Sequence, residues 1–412
     1  MNGGTVIVGS GQAGVSTAFK LRALGYQGSI ALVGAEPGLP YHRPPLSKTY
    51  LVSAAGAERL HIKHRGMYDS ERIELMPDCC VAAIHRDGKT IELADGRTIG
   101  YDHLVLATGS RARNLPPEQG GDAANVYTFR TLADATRLRG EMAAGRRLLI
   151  VGGGYIGLET AAVARSLGME VTLIERDSRI LGRVAAAETA AHFRALHRQN
   201  GVRILEGAGL DRLELHSRRA EAARLADGTA IDADAVVVGI GVVPETGLAE
   251  RAGLLVRNGI VVDGAGRTSD PSIYAAGDCA CFPYEARRIR LESVQNAVDM
   301  AEIVARSIVG MAAEYRPVPW FWSDQYSTKL QIAGLNLGYT HVAVRRVSDS
   351  VVSIWYYDQQ RFLAVDAVND AKSFMTAKRW LSGGHSPAAE EIANPSVALD
   401  AVSLCENAAP IH

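Results

Sequence analysis

The sequence predicts an α/β chain in three parts: two parallel-sheet βαβ units and an α+β region at the C-terminal end. An internal duplication is the first observation behind this. Val6-Ile-Val-Gly-Ser-Gly-Gln-Ala-Gly14 returns as Leu149-Ile-Val-Gly-Gly-Gly-Tyr-Ile-Gly157, an offset of 143 residues that persists where Leu24-Gly25 becomes Leu167-Gly168. The second is that each copy runs on into another apolar stretch closing on an acid, Glu36 in one and Glu175 in the other. The third is the change of period beyond residue 319, where apolar residues alternate in short runs.

Each repeat reads as strand, glycine loop, helix, strand, acid, a Rossmann-like unit that predicts a dinucleotide site. Gly9 and Gly152 permit the tight turn out of the strand. Gly11 and Gly154 let the backbone approach a pyrophosphate, and Gly14 and Gly157 let helix and strand pack closely. Phosphates are favoured at the helix N-terminus by unpaired N–H groups and the helix dipole. Glu36 and Glu175 follow the last glycine by 22 and 18 residues, the distance at which an acid meets a ribose hydroxyl. Two such sites suggest one tightly held dinucleotide and one exchangeable one, the logic of a flavoprotein that takes a hydride from a nicotinamide. An acid beside a 2′-phosphate is repulsive, so Glu175 favours NADH over NADPH, with Arg176, Arg179 and Arg183 close enough to soften the preference.

Between and after the repeats, Leu104–Ser110 is a buried strand ending in the Thr108-Gly109 turn, and Val236–Pro244 is similar, with Gly241 in its turn. Thr268–Asp278 reads as a strand delivering Asp278 at its carboxyl end, where ligands bind in open α/β sheets. Helical spacing follows from about Glu292 to Ile308, and Met311–Pro319 reads as a linker. Runs at Leu330, Val342, Val351–Tyr357 and Phe362–Val365 alternate like antiparallel strands before a helix over Ala371–Ser382.

Composition narrows the function classes. The 412 residues are 47% hydrophobic and 22% charged, as in a chain with a sizeable core. Lys+Arg 44 against Asp+Glu 45 gives a net charge of -1, which supplies no global field for nucleic acid or an anionic membrane. The first apolar run leads straight into a glycine loop, so it reads as a strand and not a signal peptide, and no stretch approaches a membrane span. A cytoplasmic location is expected. Five cysteines (Cys79, Cys80, Cys279, Cys281 and Cys405) do not make a disulfide framework, and the 11 histidines show no metal-ligand spacing.

Pro40-Tyr-His-Arg-Pro-Pro-Leu-Ser-Lys48, Gly152–Glu159, Ala275-Ala-Gly-Asp-Cys-Ala280 and Pro319-Trp-Phe-Trp-Ser-Asp-Gln-Tyr326 resemble the bacterial FAD-dependent NADH:ferredoxin reductases. These are of the putidaredoxin reductase and rhodocoxin reductase type, with a glutathione reductase-like fold. The resemblance runs from residue 5 to about 380. It implies an FAD-binding domain over 1–108 and 241–318, a NAD-binding domain over 109–240, and a C-terminal domain over 319–412. By similarity, Ala13 and Glu36 hold the AMP half of FAD, and Val81, Arg130 and Asp278 meet other parts of it. Val294 meets the pyrimidine edge of the flavin, Lys48 sits near its N5 with Glu159 close by, and Trp320 and Trp322 lie beside the ring. Arg43, Thr108, Gly109 and Gly241 are further candidates for the cofactor sites, as are Tyr155, Ile156 and Arg183 on the nicotinamide side. Tyr155 either covers that pocket or packs beneath its loop.

Chemistry fits these placements. A lysine near N5 stabilises charge on a reduced flavin and orients it. The segment Glu36–Leu51 contains no cysteine, so no dithiol relay is expected there and electrons must leave the flavin directly. The implied reaction runs from NADH to FAD and then, one electron at a time, to a [2Fe–2S] ferredoxin that feeds a haem monooxygenase or a Rieske dioxygenase. That ferredoxin is expected to dock near Trp320 and Trp322 with a local basic rim. Candidate cations are Arg65, the Arg287-Arg288-x-Arg290 run, Arg345-Arg346 and Lys378-Arg379. Competing readings are an NADH oxidase, a rubredoxin reductase, or a redox-controlled FAD interaction protein resembling apoptosis-inducing factor.

Overall fold

The computed structural model describes residues 4–53 and 56–406; the outermost residues of the first and last expected domains lie outside these. Thr5–Val8 and Ile30–Val33, buried at every position, are the first two strands of a five-stranded parallel sheet. Such uninterrupted apolar runs are what a parallel sheet covered on both faces requires. Its order is Ile273–Ala275, His103–Leu106, Thr5–Val8, Ile30–Val33, Ile73–Met76. The chain winds outward from Thr5–Val8 and then returns to its other side, creating a switch point at the carboxyl ends of the central strands. Ile273–Ala275 joins this sheet only after the whole second unit has intervened.

The second unit repeats the pattern. Its parallel order is Arg203–Glu206, Glu170–Glu175, Arg147–Val151, Ala235–Val238, Val126–Thr128. Helices Gln12–Ala23 and Tyr155–Ser166 start directly beyond the two glycine loops, as the duplication predicts. Helix Val294–Ile308 packs against Gln12–Ala23 and is capped by Ser293, whose hydroxyl accepts from Asn296 N. The segment 311–319 has no regular structure, yet it is pinned: Tyr315 N donates to Gly264 O at 2.7 Å and its hydroxyl to Asn296 Oδ1 at 2.8 Å.

The C-terminal region is an antiparallel sheet in the order Trp320–Gln325, Thr328–Gly334, Arg361–Val368, Val352–Asp358, His341–Arg346. The antiparallel strands expected here form, and both faces of the sheet are covered. Trp355, Val365 and Ala367 pack against Phe374 and Trp380 of helix Ala371–Gly383. Leu330, Ile354, Tyr356 and Ala364 share a core with Leu158, Ala186 and Phe193 of the second unit.

That interface contains a buried acid. Asp366 Oδ2 accepts from Thr189 Oγ1 at 2.7 Å and from the Tyr356 hydroxyl, which also accepts from Ala186 N at 2.9 Å. Burial, only partly offset by those donors, pushes the Asp366 carboxyl up to about 6. A raised carboxyl binds its proton more tightly in the folded state. Its contribution is therefore full below about pH 4 and is lost as pH rises through 6. Asp366→Asn, which does not titrate, should gain on the parent by about 3 kcal/mol between pH 4 and 7. Urea melts across that range check it; a gap independent of pH would mean that the carboxyl stays ionised.

Candidate functional site

The two glycine loops have one geometry. Gly9 and Gly152 adopt φ of +112° and +108° to turn out of their strands. A Cβ on Gly14 would stand 1.9 Å from Gly9 O, and one on Gly157 2.2 Å from Gly152 O, so close approach excludes any side chain there. Around Gly11 and Gly154 an added Cβ would meet nothing within 4 Å. These middle glycines leave bare backbone facing open space at the N-termini of helices without side-chain caps. That is the cradle a diphosphate needs, and both loops fit a dinucleotide.

Beside the first loop, Glu36, Tyr41 and Arg43 line a small depression with Ser10, Gly11 and Leu39. The Glu36 carboxylate accepts from the Tyr41 hydroxyl and from Arg43 Nη2, and Arg43 Nη1 reaches Arg130 O at 2.8 Å. Burial pushes the Tyr41 phenol up to about 12, so it stays a donor to Glu36. Val81 contributes no polar side chain. Its neighbourhood is tied to this corner by Asp78 N, which donates to Glu36 O, and Cys79 N, which donates to Gly34 O.

At the switch point Asp278 gathers the other candidates. Its Oδ2 accepts from Arg130 Nη2 at 3.0 Å and from Ser110 Oγ at 2.8 Å. Arg130 keeps a buried Nε–H without a partner among the described residues, an open donor suited to a polar ligand. Ala13 abuts Gly277, and Gly109 lies against the Arg130 guanidinium. Thr108 Oγ1 donates to Glu245 O at 2.6 Å, tying that turn to the strand returning from the second unit. The neighbouring Cys279 thiol is buried and donates to Leu106 O, and burial pushes its pKa up, which suits an inert thiol.

Lys48 ends a 3-10 turn begun by Pro44-Pro45, and its Nζ lies 2.9 Å from Glu159 Oε1. Glu159, on helix Tyr155–Ser166, is 4% exposed. It also accepts from Ser47 Oγ at 2.8 Å and Ser323 Oγ at 2.7 Å. Lys48 and Glu159 are thus brought together as the resemblance implies. Ser47, Ser323 and the Gln325–His197 contact behind it were given no role by sequence reasoning. The local sequence does not single them out: the strand reads Trp320-Phe-Trp-Ser-Asp-Gln325, three aromatics and then three polar residues, as a strand running out to water also would.

At the second glycine loop, Glu175 turns back onto the backbone. Its Oε2 accepts from Gly153 N at 2.7 Å and its Oε1 from Asp177 N at 2.8 Å. Arg183 lies against Gly241, bringing those two candidates together. Ile156 is exposed at the helix start, whereas the Tyr155 ring packs on Phe321 at 5.1 Å with its hydroxyl buried. Tyr155 therefore packs beneath the loop, toward the C-terminal sheet.

Val294, Gln295, Asp299, Arg316, Trp320, Trp322 and Lys378 line one cleft. The two tryptophan rings are 5.6 Å apart, and Lys378 Nζ sits 5.1 Å from the Trp320 ring. Among the expected rim cations Lys378 alone lines this cleft, while Arg316, absent from that set, joins it. Arg345 is a correction: it is buried, and its guanidinium donates to the carbonyls of Ile392, Asn394, Pro395 and Val397, holding the C-terminal segment. Arg290 is also largely covered, donating to Asp278 O and paired with Glu292.

Residues 4–301 match the pyridine nucleotide-disulphide oxidoreductase family and residues 320–403 the reductase C-terminal family. Rhodocoxin reductase of Rhodococcus erythropolis is 45% identical over 380 residues, 92% of this chain and 89% of that one. Putidaredoxin reductase of Pseudomonas putida is 43% identical, over 92% of this chain and 91% of its own. The crystal structure of a covalent putidaredoxin reductase–putidaredoxin complex superposes with a TM-score of 0.93 at 42% identity, over 97% of each chain.

The two glycine loops separate experimentally. Gly14→Ala should weaken flavin retention by about tenfold or more, since the added methyl forces the loop open, and the purified protein should lose its 450 nm absorbance. Gly157→Ala should keep the flavin and raise the KM for NADH instead. Loss of flavin from both variants would refute the assignment of one loop to each nucleotide.

Proposed function

This chain belongs to the pyridine nucleotide-disulphide oxidoreductase family, as an NADH-dependent FAD oxidoreductase with a reductase C-terminal domain, and from that premise we propose that its electrons go to a [2Fe–2S] ferredoxin serving an oxygenase. The observation that carries the acceptor is the cleft joining Val294 to Trp320, Trp322 and Lys378. A relative 42% identical over nearly the whole chain was crystallised as a covalent complex with putidaredoxin, which supports a small protein as the acceptor. No cysteine stands between Glu36 and Leu51, so no thiol pair intercepts electrons beside Lys48.

In this reading 1–108 with 241–318 hold FAD, 109–240 hold NADH, and 319–412 carry the docking face. Bound FAD supplies a centre that accepts a hydride from NADH and returns the electrons singly. The protein's part is placement. Gly9, Gly11 and Gly14 seat one diphosphate, and Glu36, Arg43, Arg130 and Asp278 give polar anchors along the same crevice. Lys48 fixes a cation where negative charge is added, and Glu159 holds that cation in a largely dry position. Glu175, locked to its loop by two backbone donors, presents a carboxylate that repels a 2′-phosphate.

Stopped-flow reduction should be faster with NADH than NADPH, and Glu175→Ala should narrow the ratio about tenfold by relieving that repulsion. Mixing the reduced enzyme with oxidised carriers should show transfer to [2Fe–2S] ferredoxins; a preference for rubredoxins would overturn the partner. Reversing charge with Lys378→Glu and Arg316→Glu should slow ferredoxin reduction about tenfold at low salt while sparing ferricyanide reduction. Equal losses with both acceptors would remove the basic rim from this cleft.

A further inference from the structure

Strand Trp320–Gln325 sends alternate side chains to two different places. Trp320 and Trp322 line the cleft, whereas Phe321, Ser323 and Gln325 face the second dinucleotide unit, meeting Tyr155, Glu159 and His197. Ser323, Gln325 and His197 are each fully buried, and none is used by the chemistry above. They form a continuous chain of contacts. Ser323 Oγ lies 2.7 Å from Glu159 Oε1, Gln325 Nε2 3.2 Å from Ser323 Oγ, His197 Nε2 2.8 Å from Gln325 Oε1, and the Tyr326 hydroxyl 3.3 Å from His197 Nδ1.

The direction of every bond in this chain follows from one charge. A carboxylate only accepts, so the single proton of Ser323 goes to Glu159. The Ser323 oxygen must then accept from Gln325, which orients the carboxamide with its NH2 toward Ser323 and its oxygen toward His197. That oxygen accepts in turn, so His197 carries its proton on Nε2 and presents a bare Nδ1 to the Tyr326 hydroxyl. Burial pushes the His197 pKa down and keeps the ring neutral, as this order demands. The carboxamide breaks any relay of protons along the path, because it does not readily pass one from nitrogen to oxygen. The chain is therefore fixed polarity, with each donor aimed toward Glu159.

We propose that Ser323, Gln325 and His197 are positioning residues for the Lys48–Glu159 pair, a one-way chain of hydrogen bonds that spreads the carboxylate's charge and holds Lys48 in place. The inference rests on the reading of Lys48 as the cation beside the flavin. It also gives the chain a requirement for all three parts of the fold. Lys48 and Ser47 come from the first unit, Glu159 and His197 from the second, and Ser323, Gln325 and Tyr326 from the C-terminal sheet.

The test measures the FAD midpoint potential of the holoenzyme, with 450 nm absorbance confirming that flavin is retained. Lys48→Met should lower the reduction equilibrium about tenfold, about 30 mV for a two-electron couple. Ser323→Ala, which removes one oxygen and leaves the packing intact, should lower it in the same direction, and so should Gln325→Met, an unbranched replacement of similar length. Neither should add to the shift in a Lys48→Met background. An unchanged potential in Lys48→Met defeats the reading of Lys48 itself. A shift there with none in Ser323→Ala and Gln325→Met, or full additivity in the double variants, overturns the positioning role. Nitrogen NMR of the labelled holoenzyme reads the chain without turnover: His197 should be the Nε2–H tautomer, and the Nδ1–H tautomer would overturn the proposed direction.

Discussion

A carboxylate buried to 4% exposure is the constraint on which this molecule turns. An ion taken out of water must be met by an opposite charge and by hydrogen bonds to its remaining lone pairs. Glu159 obtains a cation from Lys48 and hydroxyls from Ser47 and Ser323. These partners sit 111, 112 and 164 residues away in the chain. Satisfying one charge therefore requires the first unit, the second unit and the C-terminal sheet to meet with the correct register. Misplacing any of the three would leave an unpaired charge in a dry interface, a penalty far larger than the worth of a surface ion pair.

Duplication explains most of the rest, and the differences between copies are as informative as their likeness. In register with Val8 and Val151 stand Val33 and Ile174, so Gly34 and Glu175 occupy equivalent places. The second unit puts its acid there, and the carboxylate folds back onto Gly153 N. In the first unit the same place is filled by Ser10, whose hydroxyl would lie 2.1 Å from a Cβ on Gly34. The acid is displaced to Glu36, where Tyr41 and Arg43 hold it beside a depression. One loop thus has its acid held by side chains from outside the loop, and the other keeps it on its own backbone. That difference fits the proposed division between a retained FAD and an exchangeable NADH.

The legible parts were those in which local pattern and burial coincide. The glycine loops, the strands leading into them, the Asp278 turn and the helix from Val294 to Ile308 follow from sequence because a strand–loop–helix crossing admits few residues at its tight points. Less was visible in the C-terminal sheet. Its alternation predicts antiparallel strands but not that the strand is buried on both sides from Val352 to Tyr357, since the second cover comes from Leu158, Ala186 and Phe193. Arg345 reads as a surface cation because a pair of adjacent arginines is usually solvated; four carbonyls of a distant segment make it an internal clamp. Arg316, beside prolines in a stretch read as a linker, lines the cleft because Tyr315 anchors that stretch.

Residue types at neighbouring positions are enough to set the two glycine cradles, the likeness of their geometry and the absence of cysteine between Glu36 and Leu51. In the cradles, backbone sterics convert those residue types directly into shape. Tertiary structure alone decided which buried polar groups meet. Ser323, Gln325 and His197 carry no local signature, because a serine or glutamine in a strand is equally at home against water. Only the packing of the C-terminal sheet on the second unit removes that water, and with it every partner except the ones the fold provides.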